Sequence, residues 1–523
     1  MGTKVNSNYE DLLTFTRASK GHALRPVSYG DELVANGTFD SDLSGWTVVS
    51  GSATVTNGEA VVSYDGANGG LNQYVTVEVG KLYEIKASLT ATTSSGPRLK
   101  IGTTNNGNDI RQLGVVGDIF ERVVATTTTI SIFAQALTDG STTIDNISVK
   151  EVTFDQPDGT LTLFEHPDNV PRVEWDADRN RLGLLVEEQR INLVYGSTSP
   201  PTDGSSKNPS NKILSPTQEV NADLVVENTS TSAHGVRRTN VFPTQGATDY
   251  TISVFAKAKE RRYLQLRMYA NGTSNDVFGF DLQEGTAPAG GSIQDVGNGW
   301  YRCSATLSVD NSTGGFNFAA AQMGSDSLTY YYAGDGSSGM YMFGLQVEAG
   351  SFPTSYIKNE GLSGGVTRSA DVASIPVADF GWNKGAGTVV AEVDTADASN
   401  FGILWSANAD SFQNRTLAYI NNDLIYMYNR KNNGTEVNDP YANAPLDNTP
   451  LKHGYAFTDG DFNHTLNGGA VETVASNEMP VGINSFDIGN RLYTSGGHIN
   501  GHIKSIQYYP RRLTNAQLQD LTS

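Results

Sequence analysis

The strongest constraint on this 523-residue chain is a three-part pattern that occurs twice, in the same order. Tyr83, Ile85, Ala87, Leu89 and Ala91 alternate with polar residues, and the spacing returns as Tyr250, Ile252, Val254, Ala256 and Ala258. A period of two is the mark of a strand with one buried face. Next, Phe120-Glu121-Arg122-Val123-Val124-Ala125-Thr126 is echoed by Trp300-Tyr301-Arg302-Cys303-Ser304-Ala305-Thr306. Finally Ile147, Val149 and Glu151 answer Leu345, Val347 and Ala349. Two copies of one antiparallel β-sandwich are expected, spanning residues 33–152 and 197–360.

The totals agree. Fifty-five glycines and only 18% charged residues suit short strands and many turns, and the length calls for several cores. A net charge of -20, from 56 acidic and 36 basic residues, repels phosphate backbones and anionic bilayers, so neither nucleic acid nor membrane insertion is expected. Cys303 has no cysteine partner, which implies synthesis in a reducing compartment and stability from packing or assembly. Met1 to Asp11 is polar and lacks the apolar stretch of an export signal, so export is not expected and a chain that acts outside the cell would need another route out, cell lysis being one.

A Gly/Ser stretch, residues 361–366, separates a third domain at 367–523. Its end, Gly501 to Tyr509 followed by Arg512-Leu513-Thr514-Asn515-Ala516-Gln517-Leu518, resembles the last strand and terminal helical turn of laminin-G-like, concanavalin-type sandwiches. Thr514 as N-cap with Gln517 three residues later predicts a capping box. The opening Asn36-Gly37-Thr38-Phe39-Asp40 to Gly45-Trp46 resembles the first strand of carbohydrate-binding jelly rolls. Trp46, Trp300 and Trp405 are assigned to cores.

The remaining pieces are Phe15-Thr16-Arg17-Ala18-Ser19, Asn169-Val170-Pro171-Arg172-Val173-Glu174-Trp175 and Gly183-Leu184-Leu185-Val186-Glu187-Glu188-Gln189-Arg190-Ile191-Asn192-Leu193. Together they resemble a motif series of bacteriophage head-spike, head-fibre and tail proteins, in which they stand close together. Here a jelly roll separates them, so the first sandwich reads as an insertion. Residues 1–32 then form an N-terminal docking arm, and 153–196 a small β base that pairs with it. The expected fold is all-β: tandem jelly-roll sandwiches, a short N-terminal arm and a C-terminal concanavalin-like sandwich.

For chemistry, Asp176, Asp178, Asn180 and Glu187 match the ligand spacing of an EF-hand loop, but Arg181 occupies the glycine position and the flanks read as strands. A charged hairpin turn is the default; the cofactor expectation is none, with structural calcium as the alternative. Gly361-Leu362-Ser363-Gly364-Gly365 fits a nucleophile elbow formally, yet it sits in the linker. His498 and His502 share no helix, and Glu187 and Glu188 point to opposite faces of a strand and cannot be one catalytic pair. No enzyme is expected. Sugar contact needs aromatic faces beside amides and carboxylates. Tyr330, Tyr331 and Tyr332 with Asp326 and Asp335, and Tyr426, Tyr428, Asn429 and Arg430, are the candidates, against the ordinary reading of such tyrosines as half-buried core or subunit contacts. The resemblance implies a structural virion-surface protein, a head spike or fibre, with a tail fibre, a carbohydrate-binding accessory protein or a depolymerase as alternatives. Its expected partners are other virion proteins, host surface polysaccharide and copies of itself, a trimer being one candidate order.

Overall fold

A computed structural model describes residues 12–93, 98–138, 140–200, 202–203, 205–207, 212–238, 248–270, 276–309, 316–324, 331–409, 413–432, 437–441, 447–474, 478–491 and 496–523. The chain is all-β, a series of sandwiches. Residues 26–160 form one compact unit; residues 1–25 and 161–523 form the other.

In the first unit one sheet orders Thr47–Ser50, Gly69–Thr76, Thr129–Ala136, Leu99–Gly102 and Arg111–Leu113 side by side. The facing sheet centres on Leu82–Thr92, with Gly117–Val124 on one side and Ser141–Phe154 on the other. Alternate residues of both, among them Leu71, Ile85, Leu99, Ile132 and Val149, close a single core that includes Trp46.

The second sandwich repeats the centre of that plan: Thr248–Lys257 lies between Tyr301–Val309 and Gly339–Ala349. Register measures how far the repeat holds. Glu151 stands opposite Tyr83 and Ala349 opposite Tyr250, as the sequence pattern requires. A β-bulge is duplicated as well: residues between Asp145 and Ser148, and between Phe343 and Gln346, are squeezed against one partner residue. Each bulge carries a left-handed residue, Asn146 at φ 53° and Gly344 at φ 64°. The middle echo is corrected. Val123 pairs with Tyr83, whereas Leu307, not Cys303, pairs with Tyr250, so Arg122 and Arg302 are four residues out of step. An even slip keeps the same side chains on the core face, and the alternation alone could not detect it.

The third sandwich has two seven-stranded sheets. One contains Val372–Pro376, Ser485–Ile488, Gly402–Asn408, Arg415–Asn421, Leu424–Arg430 and Val437–Tyr441; the other runs through Gly501–Tyr509, Ala386–Val393, Leu451–Thr458 and Asp461–Leu466. Trp405 is fully buried and stacks on Phe486 at 5.6 Å. The Asn515–Thr522 helix opens with the Thr514/Gln517 capping box.

The arm and base are not a body of their own. Thr14–Thr16 pairs with Val372–Pro376 and edges one sheet of the third sandwich, while the Val173–Trp175/Arg181–Val186 hairpin adds to the other through Leu184 opposite Ile503. Phe15, Leu184 and Val186 enter that sandwich's core, so burying them costs less than exposing a separate small base would. Contact with the N-terminal stretch does exist: Arg17 and Asn169 exchange backbone and side-chain hydrogen bonds. The linker residues also lead directly into a strand, since Val366–Arg368 pairs with Arg190–Asn192.

Where these pieces meet lies a dry charge cluster. The Arg172 guanidinium donates to Asp371 at 2.5 Å, lies 2.8 Å from Glu187, and reaches the His22 carbonyl and the Ser355 hydroxyl. Arg17 donates to the other Asp371 oxygen and to the Pro167 carbonyl, and Arg368 approaches both carboxylates. Burial alone would raise the Glu187 carboxyl, but Arg368 and Arg172 outweigh it and hold it well below the usual range. Replacing Asp371 by Asn leaves three buried guanidiniums facing one carboxylate, and unfolding in denaturant, followed by tryptophan fluorescence, is expected to be easier by about 3–5 kcal/mol. Asp178→Ala, in an exposed turn, is expected to shift it by less than about 0.5 kcal/mol.

Candidate glycan-contact faces

On Leu424–Arg430 the alternation sends Ile425 and Met427 into the core and Tyr426, Tyr428 and Arg430 to the opposite face. The neighbouring strand places Tyr419 opposite Tyr426, Leu417 opposite Tyr428 and Arg415 opposite Arg430. Ile403, Leu417, Tyr419 and Tyr428 are a buried floor on this side of the sheet, and Tyr426 and Phe401 are half-buried above it. Tyr419 and Tyr426 stack at 4.9 Å and 9°, the Tyr419 hydroxyl donates to Asn438, and Arg415 lies 4.5 Å over the Tyr428 ring. Three of the four residues predicted here are thus brought together. Asn429 is not: it has the core parity, and its amide donates to the Glu478 carbonyl.

The second predicted cluster is pinned. The Tyr332 hydroxyl donates to Glu227 at 2.6 Å, Arg261 forks the same carboxylate and lies 5.6 Å over the Tyr332 ring, and His234 meets that ring edge-on. Burial and the Glu227 charge push the Tyr332 hydroxyl up. Asp335 accepts from Ser337 and Ser338, donors that hold its carboxyl well below the usual range. These bonds fold a loop; they leave Tyr331, 64% exposed, as the reachable ring. Tyr330 and Asp326 lie outside the described residues.

A third face was not predicted. On the five-stranded sheet of the first unit, register lines Thr47, Asn72, Phe133, Lys100 and Gln112 in one row across every strand, on the side away from the core. Four strand spacings of about 4.8 Å make that row about 19 Å long. Lys100 donates to Asn106 and Gln135, and Ser131 to Asn72. Gly70 leaves room for Phe133, whose ring would lie 3.0 Å from a Cβ there. These residues are scattered over 66 positions, so only cross-strand pairing could reveal the row. A cleft of about 470 Å³ in the same unit, lined by Glu32, Asn36, Lys86 and Asn146, is a by-product of the bulge: Glu32 accepts from Val34, Val149 and Ser148.

The metal candidates separate. Asp176 accepts from the backbone and side chain of Asn180 across a tight hairpin turn, with Arg179 left-handed at φ 65°, Asp178 is exposed, and Glu187 is held by Arg172 and Ser355. Among the described residues no group of three or more His, Cys, Asp or Glu is placed to hold a metal ion. Ser363 sits in an exposed turn that leads into a strand, not a helix. His498 faces the Asp371 carbonyl, and His502 is clamped, Nδ1 at 2.9 Å from Asp394 and Nε2 at 2.8 Å from Glu174. With carboxylates on both nitrogens, its ring has no atom left to serve as a general base for a third group.

No family model matches the chain, and no curated protein matches it. Solved structures do. The CBM40 of the Ruminococcus gnavus IT-sialidase, bound to α2,3 sialyllactose, is 18% identical over 27% of this chain and 84% of its own, with a TM-score of 0.25. The CBM22-1-CBM22-2 tandem of Paenibacillus barcinonensis Xyn10C is 15% identical over 64% of this chain and 100% of its own, at 0.21. Mouse laminin α1 LG4-5 is 10% identical over 62% and 93%, also at 0.21.

The histidines give this unit opposite responses to acid and alkali. Burial would lower the His502 pKa, but Asp394 and Glu174 outweigh it and raise it to about 10, above the unfolded value of about 6.5. Its contribution is complete below pH about 6.5 and is lost as pH rises towards 10. His464 is pushed down to about 4 by burial, so its contribution is lost as pH falls from about 6.5 towards 4. Denaturant midpoints measured across pH are expected to peak near neutrality, and His502→Gln to flatten the alkaline limb alone.

Proposed function

We propose that this chain is a non-enzymatic, carbohydrate-contacting surface protein whose sandwiches hold glycan on the sheet faces turned away from their cores. The observation that carries this reading is the half-buried Tyr426, stacked on buried Tyr419 and lined up with Tyr428, Arg415 and Arg430 on the face of the third sandwich turned away from its core. Aromatic rings stack on the apolar faces of sugars, and guanidiniums and amides bind their oxygens. The row of the first unit supplies a second outer face, where exposed Thr47 and Gln112 and half-buried Lys100 flank buried Asn72 and Phe133. Several weak contacts on one chain, multiplied by copies of that chain, give useful avidity without any deep pocket.

The setting we infer is the virion surface of a bacteriophage, as a head spike or fibre assembled as a homo-oligomer. Support for it is the resemblance of the segments around Arg17, Arg172 and Glu187 to phage spike and fibre proteins, together with the place of those residues in one buried joint. Such a joint suits a part that must stay rigid while its outer faces meet a cell.

The chain on an array of bacterial surface polysaccharides is expected to bind at least one of them, and Tyr426→Ala to weaken that binding by about tenfold, roughly 1.4 kcal/mol, with the β-sheet circular dichroism spectrum retained. Release of reducing ends from the bound polymer would replace this reading with a depolymerase.

A further inference from the structure

One edge strand of the third sandwich serves two faces at once. In Val437–Tyr441 the residues Val437, Asp439 and Tyr441 stand beside Asn429, Met427 and Ile425 on the core side, whereas Asn438 and Pro440 stand beside Tyr428 and Tyr426 on the outer side. Asn438 accepts from the Tyr419 hydroxyl at 2.7 Å, so this strand props the Tyr419/Tyr426 stack. Its inner side closes one margin of the sandwich over two histidines. His453 on Leu451–Thr458 and His464 on Asp461–Leu466 are both inaccessible to solvent, and their rings meet edge-on with Nε2 and Nδ1 at 3.4 Å. Among the described residues the other two nitrogens, His453 Nδ1 and His464 Nε2, have no hydrogen-bond partner. Three strands bring titratable groups to the pair. Asp439 lies 4.0 Å from His464 Nε2 and Glu472, on Glu472–Val474, lies 3.9 Å from it, too far for hydrogen bonds, and these carboxylates are 33% and 38% exposed at the rim. Tyr441 meets the His464 ring edge-on and donates to the Ala470 carbonyl, and Tyr455 stands opposite His464.

A proton added to this pair is poorly housed while the margin stays shut. One N–H···N bond joins the rings, so an added proton leaves both outer nitrogens carrying N–H groups, one without an acceptor and one beyond reach of its carboxylates. Burial, and for His453 also the neighbouring His464 charge, holds both rings below their ordinary value, His464 at about 4, and burial raises the Asp439 carboxyl. We propose that Val437–Tyr441 and Glu472–Val474 form an acid-opened edge, and that its opening releases the Tyr419 hydroxyl from Asn438 and slackens the ring face beside it. Opening exposes the rings to water, where they titrate near 6.5, so each step of pH below about 6.5 favours the open edge. Weaker sugar contact in acid is the consequence, and only that consequence rests on the glycan-contact reading above.

The test is amide hydrogen exchange of the chain, read by mass spectrometry between pH about 7.5 and about 4.5 and corrected for the intrinsic pH dependence of exchange. Protection of 437–441 and 472–474 is expected to fall by about tenfold per pH unit below about 6.5, while Ala386–Val393 and Gly402–Asn408 in the same sandwich keep theirs. His464→Gln is expected to flatten that dependence. The consequence is read by retention on immobilised dextran, polygalacturonate and polysialic acid. A polymer that retains the chain at pH about 7.5 is expected to release it at about 4.5 and to retain His464→Gln at both, which separates titration of the protein from titration of the polymer. Edge protection that does not change with pH, or that falls equally across the whole sandwich, overturns the opening, whether or not His464→Gln folds. Opening without release overturns the link to the ring face. Retention by none of the three polymers at either pH removes that link and the glycan reading together, and exchange alone then decides the opening.

Discussion

Three guanidiniums and two carboxylates without water around them are a costly thing to assemble, and the larger unit is organised by that assembly. Arg17, Arg172 and Arg368 converge on Asp371 and Glu187 with side chains essentially inaccessible to solvent. Mutual attraction offsets desolvation only when the geometry is tight and the remaining N–H groups find acceptors. Here the carbonyls of Ser19, His22, Pro167, Glu188 and Ser369 accept several of them, while the Nε of Arg172 and of Arg368 stay buried without a partner among the described residues. The five charged residues come from four separated stretches of chain, so the network forms only when all four are in place. It makes the arrangement all-or-none at that point.

That constraint explains why short, unremarkable segments are woven into sheet edges. Thr14–Thr16 and the Val173–Trp175/Arg181–Val186 hairpin complete the two sheets of the third sandwich, and in doing so deliver Arg17, Arg172 and Glu187 to the cluster. Asp371 joins the networks directly: its backbone exchanges with Glu187 and His498 while its carboxylate meets the arginines. Residues that look like motif chemistry in one dimension are structural in three. Glu187, a calcium candidate by spacing, is held by Arg172 and Ser355. Its neighbour Glu188 pairs with Arg190, and both glutamates lie in the connection between Arg181–Val186 and Arg190–Asn192 and not, as expected, in a strand.

The outer faces follow a different rule. A strand's core face is tuned for volume and apolarity, but the other face is free to vary, and here two sheets carry rings, amides and cations in rows. Position within the row is set by register, not by sequence distance. Tyr332 shows the opposite case: consecutive with Tyr331, it is committed through Glu227 and Arg261 to shaping its own loop.

Alternation of apolar and polar residues was enough to specify strands, the duplicated sandwich, the burial of Trp46, Trp300 and Trp405, and the capped terminal helix, because these depend on a local period and on local hydrogen bonds. It could not rank Asn429 apart from its neighbours without knowing which parity was core, nor detect a four-residue slip that preserves parity. Which strands become neighbours was decided by tertiary structure for the row from Thr47 to Gln112 and the joint around Asp371, which are made of residues tens to hundreds of positions apart. Pairing across a sheet is a non-local choice, fixed by how whole faces bury one another, and no local pattern in the chain encodes it.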